Sequence, residues 1–203
     1  MSQRKKENVR DAILQAAFRL FSERGYASTS MPAIAKAAGI SSANVYVYFQ
    51  SKIDILFTLY EPWLEKRLDA LEKTLSRIKE PRKRFDRLLL ALWRDLARES
   101  GGFANNVMQA ISTSAGNGDY SPRLRQLFQR RVSGWILQSL QVSEVEANRL
   151  AVVILMAFDG FAMNAHLDKG AACDRGTASA IANLMAARGA LGSPFSALPK
   201  DPG

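Results

Sequence analysis

Residues 28–56 read STSMPAIAKAAGISSANVYVYFQSKIDIL, and this stretch decides the fold. Thr29 or Ser30 can cap the helix that starts at Met31-Pro32, and proline is well placed in the first turn of a helix, where its missing N–H is not needed. Ile34, Ala35, Ala37 and Ala38 then recur at helical spacing, so a short helix is expected over about 31–38. Gly39 ends it, Ile40 fills the turn, and Ser41 caps a third helix over about 42–48. Two short helices joined by a glycine-containing turn form a helix-turn-helix. Ser51 followed by Asp54 opens a further helix.

Working outward, Val9, Ile13, Leu14, Ala17, Phe18 and Phe21 define a preceding helix over about 8–24, with Gly25 as its cap. Residues 2–7, with Arg4, Lys5 and Lys6, read as a basic arm. On the C-terminal side the helix that begins at Ser51 runs to Pro62, where a kink or break and thus a hinge is expected. It then resumes to about residue 78. Later helices are expected over about 81–99, 103–112, 122–140, 144–168 and 177–189, with a loop at 113–120 and a poorly ordered tail at 192–203. The reading is all-α: a three-helix head over 1–50 and a domain of about six helices over 51–191.

Composition agrees with a packed helical protein. The chain has 203 residues, 47% of them hydrophobic, and a net charge of +9. Residues 1–58 hold eight basic against four acidic side chains. A basic balance favours anionic partners, nucleic acid first among them. One cysteine and one histidine exclude a disulfide within the chain and the common zinc spacings, so no metal or cofactor is expected. The N-terminus lacks a signal-like apolar run and no stretch reaches membrane-spanning length, so a cytoplasmic protein without a membrane partner is expected.

In a helix-turn-helix the first turn of the second helix enters the major groove. That turn holds Ser42, Ala43 and Asn44. Asn44 can pair with adenine, Ser42 can read several base edges, and Ala43 can touch a thymine methyl. Tyr46 and Tyr48 can donate to phosphates, Lys52 can add a charged contact, and Thr29 and Ser30 sit at a helix N-terminus that suits an anion. Taken singly, Asn44 is as well explained as a surface cap, and Lys52 as a solvated lysine; the combination carries the signal.

These residues also resemble a known family. AAFRLFSERGYASTSMPAIAKAAGIS followed by VYVYF (45–49) and by Ser51, Lys52, Asp54 and Leu56 is similar to the DNA-binding domain of the tetracycline-repressor family of bacterial regulators. The resemblance covers about a quarter of the chain, roughly 9–56. It implies a homodimer that binds a palindromic operator, usually as a repressor, and a C-terminal domain where a small effector releases the DNA. It also implies groove-facing roles for Ser42 and Asn44 and phosphate contacts for Thr29, Ser30, Tyr46, Tyr48 and Lys52. Asn44 and Ile53 depart from the residues common at those positions, which weakens any transfer of operator sequence.

For the C-terminal part, an amphipathic or aromatic effector is expected in a cavity lined by Trp93, Phe103, Met108, Trp135, Phe158 and Phe161, with Asn105, Asn106 and Gln109 as polar handles. Each of these aromatics is also well explained as plain core. FDGFAMNAHL (158–167) resembles the family's dimerisation helix, so Val152, Leu155, Asp159, Met163, His166, Ile181, Leu184 and Met185 are expected at the dimer interface. The alternative is a core helix of a monomer. His166 and Asp159 share a helix face, but no nucleophile motif accompanies them, so an enzyme is not expected. A ligand-independent DNA binder, or an activator, is the other reading of the whole.

Overall fold

The computed structural model describes residues 3–99, 102–114, 122–167 and 173–190. Every regular element among them is a helix. α1 (Gln3–Arg24), α2 (Met31–Ala37) and α3 (Ser42–Tyr46) form the N-terminal head. α4 (Lys52–Leu75) leads out of it, and α5 (Pro81–Leu90) follows. A π-helical stretch, Ala91–Leu96, joins α5 to the single turn α6 (Ala97–Glu99). α7 (Phe103–Ser114), α8 (Arg123–Ser139), α9 (Glu144–Leu167) and α10 (Arg175–Ala190) complete the bundle.

The turn chemistry of the head works as its sequence demands. Gly25 and Gly39 adopt φ of 79° and 71°, the left-handed region that costs glycine least. Ser30 Oγ accepts from the Ala33 amide at 3.3 Å, and Ser41 Oγ from the Asn44 amide at 3.2 Å, capping α2 and α3. Ser51 caps α4 through the Asp54 amide, and Asp54 returns the contact by accepting from the Gln50 amide.

Two expectations are corrected. Residues 3–7 are the first turns of α1 and not an arm, because Gln, Arg, Lys, Lys and Glu are good helix formers with no breaker between them. α4 runs through Pro62 without a break. An interior proline costs about 3 kcal/mol. Here Tyr60 before it and Leu64 and Leu68 after it are all fully buried, so both halves are fastened to the core. The tail at 192–203 and most of the 113–120 loop lie outside the described residues.

One contiguous apolar core runs from Ile13 in α1 to Met185 in α10. α8 and α9 form the broadest pairing in the bundle. Trp93, in the π-helical stretch, is completely buried. Its indole donates to the Ile154 carbonyl at 3.0 Å and its ring lies 5.5 Å from Phe161, tying that stretch to α9.

Candidate functional site: head, joint and cavity

The outer face of α3 is short and open. Ala43 and Asn44 are exposed, Ser42 is half-buried, and Tyr46 keeps 56% of its surface exposed. Val45 and Phe49 face the opposite way into the core and fix the helix against α1, where Arg10 lies 5.3 Å above the Phe49 ring. Tyr48 is half-buried and packs on the core. α3 thus presents a small-residue first turn and an exposed tyrosine on one face and buries Val45 on the other.

Two residues assigned to phosphate contact are engaged inside the head. Thr29 is 2% exposed, and its hydroxyl donates to the Gly25 carbonyl at 2.8 Å. The Lys52 ammonium donates to the Tyr26 carbonyl at 2.8 Å and to the Thr29 carbonyl at 2.7 Å, and sits 4.0 Å from the Tyr26 ring centroid. Burial lowers its pKa. Lys52 therefore clamps the α1–α2 turn to the start of α4, where it closes the head. Ser30 stays exposed at the α2 N-terminus, its oxygen serving as the cap.

The second feature is a polar joint between the head and α7. Asn106 is 1% exposed. Its Oδ1 accepts from the Tyr26 amide at 2.8 Å, and its Nδ2 donates to the Phe21 carbonyl at 3.2 Å and to the Tyr60 hydroxyl at 3.0 Å. One amide thus ties the end of α1, the α1–α2 turn and α4 to α7. Gln109, one helical turn on, accepts from the Ala27 amide at 2.8 Å and packs over Gly25, where a Cβ would stand 3.0 Å from the Gln109 oxygen. Asn106 and Gln109 were expected to face a ligand; they face the head instead.

The third feature is a cavity of about 320 Å³ between α4, α7, α8 and α9. Phe57 and Leu64 come from α4, and Ala104, Val107, Met108 and Ile111 from α7. Leu124, Arg125 and Phe128 come from α8, and Leu155, Met156, Phe158 and Asp159 from α9. Of the expected lining only Met108 and Phe158 are there. Trp93 and Trp135 are buried elsewhere in the core, Trp135 with the Arg131 guanidinium 5.7 Å over its ring, and Phe161 packs on Trp93. The Phe103 side chain lies outside the described residues. Helical periodicity marks these aromatics as inward-facing but does not say which inward positions border a void.

Asp159 and Arg125 are the only charged groups among the described cavity residues. Asp159 is half-buried and Arg125 exposed at the rim. Burial pushes the Asp159 carboxyl up to about 6, against the opposing pull of Arg125.

The fourth feature is an exposed apolar stripe. Val153, Met156 and Met163 on α9 are 51%, 62% and 44% exposed, and Leu184 on α10 is 71% exposed. Gly160 lies on the same stripe, with open space where a Cβ would be. Of the expected interface residues, Met163 and Leu184 are on this stripe. Val152, Leu155, Asp159 and Ile181 are half-buried, and Met185 is 8% exposed. The His166 side chain lies outside the described residues. Val152, Leu155 and Asp159 each stand one residue before a stripe position, about 100° away on a helix, whereas Met163 is on the stripe.

With this geometry in hand, residues 13–59 match the family model described as "Bacterial regulatory proteins, tetR family". Residues 13–59 thus carry the sequence of a tetR-family DNA-binding head. The helix-turn-helix, DNA binding and a role in transcription regulation go with that domain. The fatty acid metabolism regulator protein of Bacillus subtilis is 23% identical over 137 residues, covering 66% of this chain and 69% of that protein. The transcriptional regulator HbdR of Aromatoleum is 39% identical over 87 residues, covering 43% of this chain and 37% of HbdR. The crystal structure of a TetR transcription regulator from Haloarcula marismortui superposes with a TM-score of 0.64 at 22% identity, covering 89% of this chain and 97% of that one. The all-α TetR architecture extends over the described chain. Among the described residues no group of His, Cys, Asp and Glu could hold a metal ion, and no helix is long and apolar enough to cross a membrane.

Proposed function

We propose that the protein is a homodimeric repressor that binds a palindromic operator through α3 and is released when a small amphipathic molecule fills the cavity. The observation that carries this reading is the two-sided use of α7. One face, with Ala104, Val107, Met108 and Ile111, lines the cavity, and the other, with Asn106 and Gln109, hydrogen-bonds the head. A ligand that shifts α7 must stretch or carry along the Phe21–Ala27 segment to which α2 and α3 are attached. Coupling then amounts to a difference in contact between two states of one helix.

Division of labour follows the same lines. Residues 1–50 make the DNA-binding head, and 51–191 hold the effector and the partner subunit. Ser42, Ala43 and Asn44 read bases, while Ser30, Tyr46 and Tyr48 contact phosphates. Thr29 and Lys52 act indirectly, by shaping the turn that presents Ser30. The partner subunit packs on the Val153–Met156–Gly160–Met163 stripe and on Leu184. A bare glycine on an exposed apolar stripe allows two helix backbones to approach closely.

Selection of bound duplexes from a random library with the full-length protein, at stated salt, tests the reading. An enriched inverted repeat with half-sites about one helical turn or a small multiple apart is expected. The Met156→Glu variant should sediment as a monomer and lose that enrichment. Sequence-independent binding would favour a ligand-independent DNA binder instead.

A further inference from the structure

The cavity is built from apolar walls with one acidic group set into them. Phe57, Phe128 and Phe158 bring three aromatic rings, Met108 and Met156 two polarisable thioethers, and Asp159 a carboxylate from α9. Phe128 and Phe158 lie with ring centroids 5.5 Å apart. The α4 and α7 walls contribute no charge, and from α8 only Arg125 faces this end, from the exposed rim. Asp159 is half-buried in this wall, and Arg125 is the one charged group of the described cavity lining that bears on its carboxylate. A carboxylate partly drawn out of water against apolar walls gains from a cationic N–H brought to it. Aromatic faces add attraction for the same charge.

We propose that the effector is a hydrophobic cation: an apolar or aromatic body held by Phe57, Phe128 and Phe158, with an ammonium-type nitrogen on Asp159. The proposal rests on the reading of this cavity as the effector site. Arg125, at the exposed rim of the cavity, keeps the free cavity from presenting an unbalanced negative charge. The raised Asp159 pKa fits the same geometry, since a cationic ligand restores what burial took from the ionised form. The preference for a cation therefore fades as pH falls through about 6, where Asp159 takes up a proton.

A series with one tail and three heads tests it: dodecylammonium, dodecanol and dodecanoate, each below its micellar concentration, titrated calorimetrically into the full-length protein at pH 7.5 and pH 5. Dodecylammonium is expected to bind roughly tenfold or more tighter than dodecanol at pH 7.5, the scale of one charge-assisted hydrogen bond. Asp159→Asn should remove that preference and leave dodecanol unchanged. Arg125→Gln should leave it intact. Tightest binding by dodecanoate, with loss in Arg125→Gln, would overturn the proposal in favour of an acyl-type anion while keeping the cavity as the effector site. Equal binding of all three heads would also overturn it. If none binds, the cavity reading itself fails along with it.

Discussion

Replacing Asn106 with alanine attacks the joint between cavity and head, and its cost can be worked from the contacts. The side chain is 1% exposed and makes three hydrogen bonds, at 2.8, 3.2 and 3.0 Å. The Phe21 carbonyl keeps its bond from the Gly25 amide at 3.1 Å, so its loss is small. The Tyr26 amide, in a residue 3% exposed, loses its Asn106 acceptor, which costs about 1–3 kcal/mol in a buried setting. The Tyr60 contact and the small void left by the truncated side chain add about 1 kcal/mol. The sum is about 3 kcal/mol, which for a chain of this size lowers Tm by roughly 6–12 °C. Thermal unfolding at fixed protein concentration measures it, since dimerisation makes Tm concentration-dependent. The variant should also respond less to effector in operator binding, because α7 no longer grips the turn. A destabilisation under about 1 kcal/mol together with an unchanged effector response would refute the reasoning.

Other consequences follow from the same geometry. Lys52→Met removes two charge-assisted bonds to the Tyr26 and Thr29 carbonyls and should destabilise the protein by about 2 kcal/mol, read by denaturant unfolding. Its operator binding should fall through loss of head structure, so the salt dependence of the residual binding should stay close to wild type. Asn44→Ala should weaken operator binding by about 1–3 kcal/mol and relax preference at one base position, whereas Tyr46→Phe should weaken all sequences alike; competition binding separates the two. Asp159 has a folded pKa above its unfolded one, so its burial costs nothing below about pH 4 and costs stability as pH rises through about 6. Asp159→Asn should therefore be more stable than wild type at pH 8 by about 1–2 kcal/mol, after allowance for partial exposure, with the gain gone at pH 3.5.

Most of the head was legible because each boundary carries its own chemistry. Ser30, Ser41 and Ser51 cap, Gly25 and Gly39 turn left-handed, and Pro32 sits where a helix tolerates it. Pro62 misled because local propensity argues for a break while burial of Tyr60, Leu64 and Leu68, which the pattern does not weigh against it, holds the helix together. Lys52, Thr29, Asn106 and Gln109 misled in a different way. Each is polar and near the right place, but whether a polar group faces solvent, a ligand or a neighbouring backbone depends on contacts between residues as far apart as 26 and 106. The exposed apolar stripe on α9 lies one position from most of the residues expected at the interface, because a helix that is apolar on most sides has no clear phase. The cavity was the least legible feature, since a void is a property of four helices at once.

Cavity occupancy should lower operator affinity. The direct measurement is the affinity of the full-length protein for its selected operator duplex at fixed salt, with and without saturating dodecylammonium, occupancy being confirmed by calorimetry on the same sample. The account predicts at least a tenfold loss, about 1.4 kcal/mol of coupling. A filled cavity with unchanged operator affinity would contradict it.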